Sequence, residues 1–83
     1  MFAFDDLRRL LVERVGVEDD KIVNDPSLTF TDMGVESLGF VELMLAMQQE
    51  LGFTIPEEDA EKILTIGDVL AYANRRLAEP RGA

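Results

Sequence analysis

Apolar residues in this chain return every three or four positions and nowhere alternate between hairpin turns, which leaves the α-helix as the one regular option. Phe4, Leu7, Leu10, Leu11 and Val15 form the first series, with Asp5 and Asp6 in its opening turn, Arg14 in its last, and Gly16 as the stop. The second runs from Ser37 to Leu51 and ends at Gly52. A short third helix starts at Ile55-Pro56-Glu57-Glu58-Asp59, with Pro56 expected at the first helical position and the acids at the positive end of the dipole, and ends near Ile63 or Leu64. Thr65 opens the last helix with Asp68 three residues on, a variant of the capping box. Ile66, Val69, Leu70, Ala73 and Leu77 supply its apolar stripe, and Arg75 and Arg76 its cationic last turn; Tyr72 is expected in its packing face and Asn74 on its surface. The pattern predicts an all-α bundle of three principal helices and one short helix.

Residues 16–36 show no clean period. Asn24, Asp25, Pro26 and Ser27 mark a turn, yet Ile22, Val23, Leu28, Phe30, Met33 and Val35 are too apolar for a solvated linker, so a long structured loop is expected between helices one and two. At 83 residues the chain builds one core, burying roughly 60% of its unfolded surface. The expected organisation is one domain over 1–78 and a flexible tail over 79–83. No stretch has the length of a signal-peptide core or a membrane span. A free-standing, monomeric, cytoplasmic protein is expected.

Composition narrows the chemistry. With no Cys and no His, the chain has no disulfide, no thiol nucleophile, no Ser/His/Asp triad and no Cys or His zinc site. Its net charge of −9 sits in the middle: residues 22–61 carry nine acids and no base, whereas 1–21 carry six acids and four bases and 62–83 carry two acids and four bases. Such a field repels nucleic acid and anionic membranes and favours basic protein partners. Glu18-Asp19-Asp20 and Glu57-Glu58-Asp59 lack the spacing of a calcium loop and read as solvated charge.

The second helix has one apolar stripe too many. With Ser37 at zero and 100° per residue, Phe40, Leu43, Met44, Met47 and Leu51 fall between about 240° and 340°, a core-facing stripe. Leu38, Val41 and Leu45 fall between about 40° and 100°, beside Glu42 and Gln49. This second stripe is either a docking face or is covered by the 16–36 loop. Ser37 stands at the helix mouth, where backbone N–H groups and the dipole favour a phosphate ester, although its ordinary structural role there is an N-cap.

Gly34-Val35-Glu36-Ser37-Leu38, followed by Val41-Glu42-Leu43, by Gly52-Phe53-Thr54-Ile55-Pro56-Glu57-Glu58 and by Thr65-Ile66-Gly67-Asp68-Val69, resembles the acyl carrier protein family over nearly the whole chain. The resemblance implies that Ser37 receives 4′-phosphopantetheine from coenzyme A by way of a holo-carrier-protein synthase, a phosphopantetheinyl transferase that uses Mg²⁺. It implies a non-enzymatic carrier of acyl thioesters, which suits a chain without a thiol of its own. It also makes Leu38, Val41 and Leu45 apolar contacts, and Glu36, Glu42 and Glu50 acidic contacts, for ketosynthase, acyltransferase or other acyl-processing partners; Glu57, Glu58, Asp59 and Glu61 extend that surface. Four residues depart from the family pattern. Glu36 replaces the usual Asp before the serine, Gly39 costs about 1 kcal/mol of helix propensity relative to Ala, and Gln48 and Gln49 replace acids common in fatty-acid carriers. These departures point to a polyketide-type or other specialised carrier over the fatty acid protein. Two other readings stay open: an unmodified acidic adaptor that binds through Leu38, Val41 and Leu45, and a small cation sensor.

Overall fold

The computed structural model describes residues 1–79, whose regular elements are all helical. α1 (Phe4–Leu10) runs directly into a π-helical turn (Leu11–Val15), and α2 (Ser37–Leu51), α3 (Glu57–Ala60) and α4 (Ile66–Ala78) follow. The fold is the expected all-α bundle with three principal helices and one short one. Of the expected tail over 79–83, only Glu79 lies among the described residues; its amide closes α4 onto the Arg76 carbonyl.

Each series of apolar residues buries as its spacing demands. Leu7, Leu10 and Leu11 from the first helix, Leu43, Met44 and Met47 from α2, and Ile66, Val69 and Ala73 from α4 enter one hydrophobic cluster. Phe4, Val15, Phe40, Leu51, Leu70 and Leu77 are half-buried at its edge. Ala3 cannot cap α1 with its methyl group, so the Asp6 carboxylate reaches back to accept the Ala3 amide at 2.9 Å. Apart from Tyr72, whose hydroxyl is hydrogen-bonded, no side chain bearing a polar or charged group is buried among the described residues.

The 16–36 loop is structured. Ile22, Phe30, Met33 and Val35 are buried, while Val23 corrects the sequence reading by standing exposed. Asp25 accepts both the amide and the hydroxyl of Ser27, at 2.9 and 2.8 Å, which builds the turn; these bonds hold its carboxyl below the usual range. The loop then caps α4. Pro26 and Leu28 carbonyls accept the Gly67 and Ile66 amides at 2.9 and 3.0 Å, and Thr29 forms a lone bridge with Thr65. With the Thr65 hydroxyl taking the Asp68 amide at 3.1 Å, the opening N–H groups of α4 all find acceptors.

This junction explains Gly67. A Cβ there would lie 3.0 Å from the Pro26 carbonyl oxygen and 3.1 Å from Pro26 Cβ. Gly67→Ala is therefore expected to push the loop off α4 and destabilise the fold by about 1–3 kcal/mol despite the gain in helix propensity. Urea denaturation checks this, and a neutral or stabilising result would show the loop yielding freely.

Asp68 closes the capping box by accepting the Leu64 and Thr65 amides at 2.9 and 3.1 Å. The Leu64 bond foremost, helped by the bonds to Thr65, holds its carboxyl below the ordinary carboxylate range against the opposing effect of burial. A pKa lower in the folded than in the unfolded state adds stability that is complete above the unfolded value and lost as pH falls through the folded one. Asp68→Ala is thus expected to lower stability at neutral pH and to make the acid side of the stability profile less steep, measured by urea titrations from neutral to strongly acidic pH.

Two terminal features differ from the sequence reading. Pro56 sits at the N-cap of α3 instead of its first position, because its ψ of 149° is extended, and after Glu61 only i→i+3 bonds carry the turn on to Ile63. Asn74, expected on the surface, clasps the N-terminal segment: its side chain accepts the Phe2 amide at 2.8 Å and donates to the Phe2 carbonyl at 2.9 Å. Phe2 is consequently buried in the core.

Candidate functional site

The site begins at the entry to α2. Glu36 is extended, and its carbonyl accepts the first helical bond from Phe40 at 2.8 Å, so Glu36 occupies the N-cap and Ser37 is the first helical residue. The N-cap role for Ser37 is thereby corrected. The Glu36 side chain makes no capping bond, as its length would suggest. Among the described residues, the Ser37 hydroxyl and the amides of Ser37, Leu38 and Gly39 have no hydrogen-bond partner, and Ser37 is exposed. The result is a free hydroxyl beside three outward-facing N–H groups at the positive end of a 15-residue helix.

Gly39 positions this turn. A Cβ at Gly39 would lie 3.2 Å from a Val35 methyl and 3.3 Å from a Val15 methyl. The bare backbone lets the first turn of α2 rest directly on the loop and on the end of the first helix. What the sequence reading counted only as lost helix propensity is a close contact that seats Ser37.

The two stripes of α2 separate as their angles require. Leu43 and Met47 are fully buried, whereas Leu38 is 74% exposed and Val41 and Leu45 are each 51% exposed. The loop covers the core and leaves this second stripe uncovered. Leu64, 63% exposed, stands beside it on the segment leading into α4. The sequence reading passed over Leu64 because it falls between two helices, where no period marks it. An open cleft of about 560 Å³ runs from Ser37 between these surfaces, with Phe40, Met44 and Leu45 on one wall and Ala60, Ile63 and Leu64 on the other. Phe30 also lines it, meeting Phe40 edge-on at 5.6 Å between ring centres.

The acids divide into three groups. Glu36, Glu57 and Glu61 line the apolar cleft, and Glu42 lines a second, more polar hollow of about 320 Å³ on the other side of the α2 entry, shared with Glu18, Lys21 and, at the boundary of the two, Glu36. Glu58 lines neither cleft. No ion pair among the described residues reaches Glu36, Glu42, Glu57, Glu58 or Glu61, so this face keeps its negative field. Glu50 stands apart from these: thirteen residues along α2, it faces Arg9 and Arg14 at 4.0 and 3.8 Å. Asp59 is also engaged, accepting the Tyr72 hydroxyl at 2.7 Å. Gln49 accepts from Arg14, and Gln48 accepts the Ile55 amide at 2.7 Å, so both amides serve the fold. No cluster of three or more His, Cys, Asp or Glu among the described residues is arranged to hold a metal.

The family model described as the phosphopantetheine attachment site matches residues 5–73, from the first turn of α1 well into α4. The chain belongs to the acyl carrier protein family. A solved relative, the solution structure of the acetyl actinorhodin acyl carrier protein from Streptomyces coelicolor, is 33% identical and superimposes with a TM-score of 0.76, over 92% of this chain and 91% of that one. A carrier of this family needs an accessible hydroxyl for its prosthetic group. The chain has two serines. Ser27 donates its hydroxyl to Asp25, while Ser37 leaves its own free. No helix among the described residues is long and apolar enough to cross a membrane.

Proposed function

We propose that this protein carries acyl groups on 4′-phosphopantetheine attached to Ser37, and that it serves a cytoplasmic polyketide-type pathway. The observation that carries the reading is the unpartnered, exposed Ser37 hydroxyl at the mouth of an apolar cleft. In loading, the Ser37 oxygen forms a bond to the phosphorus nearest the pantetheine of coenzyme A. The pyrophosphate bond breaks, and adenosine 3′,5′-bisphosphate leaves. Among the described residues no group is hydrogen-bonded to the Ser37 hydroxyl to take its proton, so the transferase, with its Mg²⁺, supplies the base. The attached group supplies the thiol that this chain lacks. The amides of residues 37–39 and the helix dipole offset the negative charge of the new phosphodiester, and the cleft offers an apolar resting place for the cargo.

The chain itself would catalyse nothing. Leu38, Val41, Leu45 and Leu64, rimmed by Glu36, Glu42, Glu57 and Glu58, form the surface that the transferase, ketosynthases and acyltransferases would grip, the acids steering basic docking faces into place. The polyketide assignment draws on the similarity to the actinorhodin carrier. Gln48 and Gln49 no longer support it, because their hydrogen bonds within the fold account for both. Incubation with coenzyme A, Mg²⁺ and a promiscuous phosphopantetheinyl transferase should give a single phosphopantetheine adduct by intact mass, mapped by peptide fragmentation to Ser37. An unloaded protein that still bound its partners through the exposed stripe would favour the adaptor reading.

A further inference from the structure

Tyr72 does more than fill the space between α3 and α4. Its hydroxyl donates to Asp59 Oδ2 at 2.7 Å and accepts from Arg76 Nη1 at 2.6 Å. The same guanidinium donates to the Thr54 carbonyl at 2.9 Å and to Glu79 at 3.0 Å, and lies 4.7 Å over the Phe53 ring. One phenolic oxygen thus joins α4, the 52–56 segment and α3. Burial foremost, and then the bond to Asp59, push the Tyr72 hydroxyl above the usual tyrosine range and keep it a donor.

α3 depends on such a tie. It has four residues, none of them fully buried: Ala60 alone of them packs half-buried against the core, and Ile55 and Ile63 on either side enter it. A single helical turn has no stability of its own. Yet Glu57, Ala60 and Glu61 form one wall of the apolar cleft, while Asp59 points the other way, to Tyr72.

We propose that Tyr72 is a positioning residue whose hydroxyl latches α3 to α4, and so sets the width of the cleft beside Ser37 and the length of acyl chain that it shelters. The proposal rests on the reading of Ser37 as attachment point and of the cleft as the resting place of the cargo. Tyr72→Phe keeps the ring and deletes only the shared oxygen; Asp59→Ala removes the acceptor, and Asp59→Asn retains one.

Amide exchange on the full chain tests the latch before any loading. Exchange over residues 57–61 is expected to quicken about tenfold in Tyr72→Phe and Asp59→Ala, to stay near the parent rate in Asp59→Asn, and to be unchanged in α1 and α2, as loss of one charge-assisted hydrogen bond implies. The same proteins are then loaded with butyryl or octanoyl thioesters from the corresponding acyl-coenzyme A and cleaved with hydroxylamine. In the parent the octanoyl ester is expected to be cleaved more slowly than the butyryl ester, and Tyr72→Phe to change that ratio at least about threefold, about half the free energy of a tenfold effect. Exchange that is unaltered over 57–61, or raised equally in every helix, would overturn the latch. Local loosening with an unaltered cleavage ratio would overturn its link to cargo. A parent that cleaves both esters equally would show that the cleft reading itself has failed, and the proposal with it.

Discussion

Ser37→Ala is expected to abolish phosphopantetheine loading and to leave stability within about 0.5 kcal/mol of the parent. The two halves of this result come from one geometry. Ser37 is the first residue of α2, its hydroxyl is unpartnered, and the capping position belongs to Glu36. Removing an exposed oxygen with no bonds costs the fold little, whereas loss of an N-cap serine would cost about 1 kcal/mol. Intact mass after transferase treatment reads the first half and urea denaturation the second. Ser27→Ala is the complementary control: it removes a hydroxyl that Asp25 accepts at 2.8 Å, and it should load fully. Loading that persists in Ser37→Ala would place the attachment elsewhere and sink the proposed function.

The second large effect distinguishes the two stripes of α2. Leu43→Ala and Met47→Ala are each expected to destabilise by about 2–5 kcal/mol, because both side chains are fully buried and a truncated one leaves a cavity as well as lost contacts. A domain of this size has a total stability of roughly 4–12 kcal/mol, so either change brings it near the unfolding threshold. Val41→Glu and Leu45→Glu are expected to change stability by less than about 1 kcal/mol, since both positions are half open to water. Their effect falls on recognition. The kcat/KM of a phosphopantetheinyl transferase toward either variant should drop about tenfold, as for loss of an interface anchor, with KM bearing most of the change. If Val41→Glu unfolds the protein as Leu43→Ala does, the exposed stripe belongs to the core.

The helices were legible because their signals are local. Apolar spacing and the turn residues at Gly16 and Gly52 place the long helices, and the angular split of α2 separates Leu43 from Val41 before any coordinates are considered. Ser37 was legible as a candidate for the same reason. What was not legible depends on partners distant in the chain. Asn74 looks like surface until Phe2, 72 residues away, is placed against it. Gly39 looks like a defect until Val15 and Val35 arrive beneath it. Glu50 shares the charge of the acids proposed for docking, but only the packing of the first helix against α2 brings Arg9 and Arg14 to it. Leu64 carries no periodic mark because its role comes from the walls around it.

The Asn74 clasp has a practical consequence. It holds the N-terminal segment against α4, and Met1 and Phe2 line a shallow hollow shared with Leu51 and Leu77 at the end of the bundle where α2 finishes. Ser37 begins the other end of α2, about 20 Å away at 1.5 Å per residue. Affinity tags or surface anchors fused at the amino end therefore leave the proposed attachment serine unobstructed. The same geometry lets the domain be grafted by that end onto a larger scaffold with the Ser37 hydroxyl at the far end of α2.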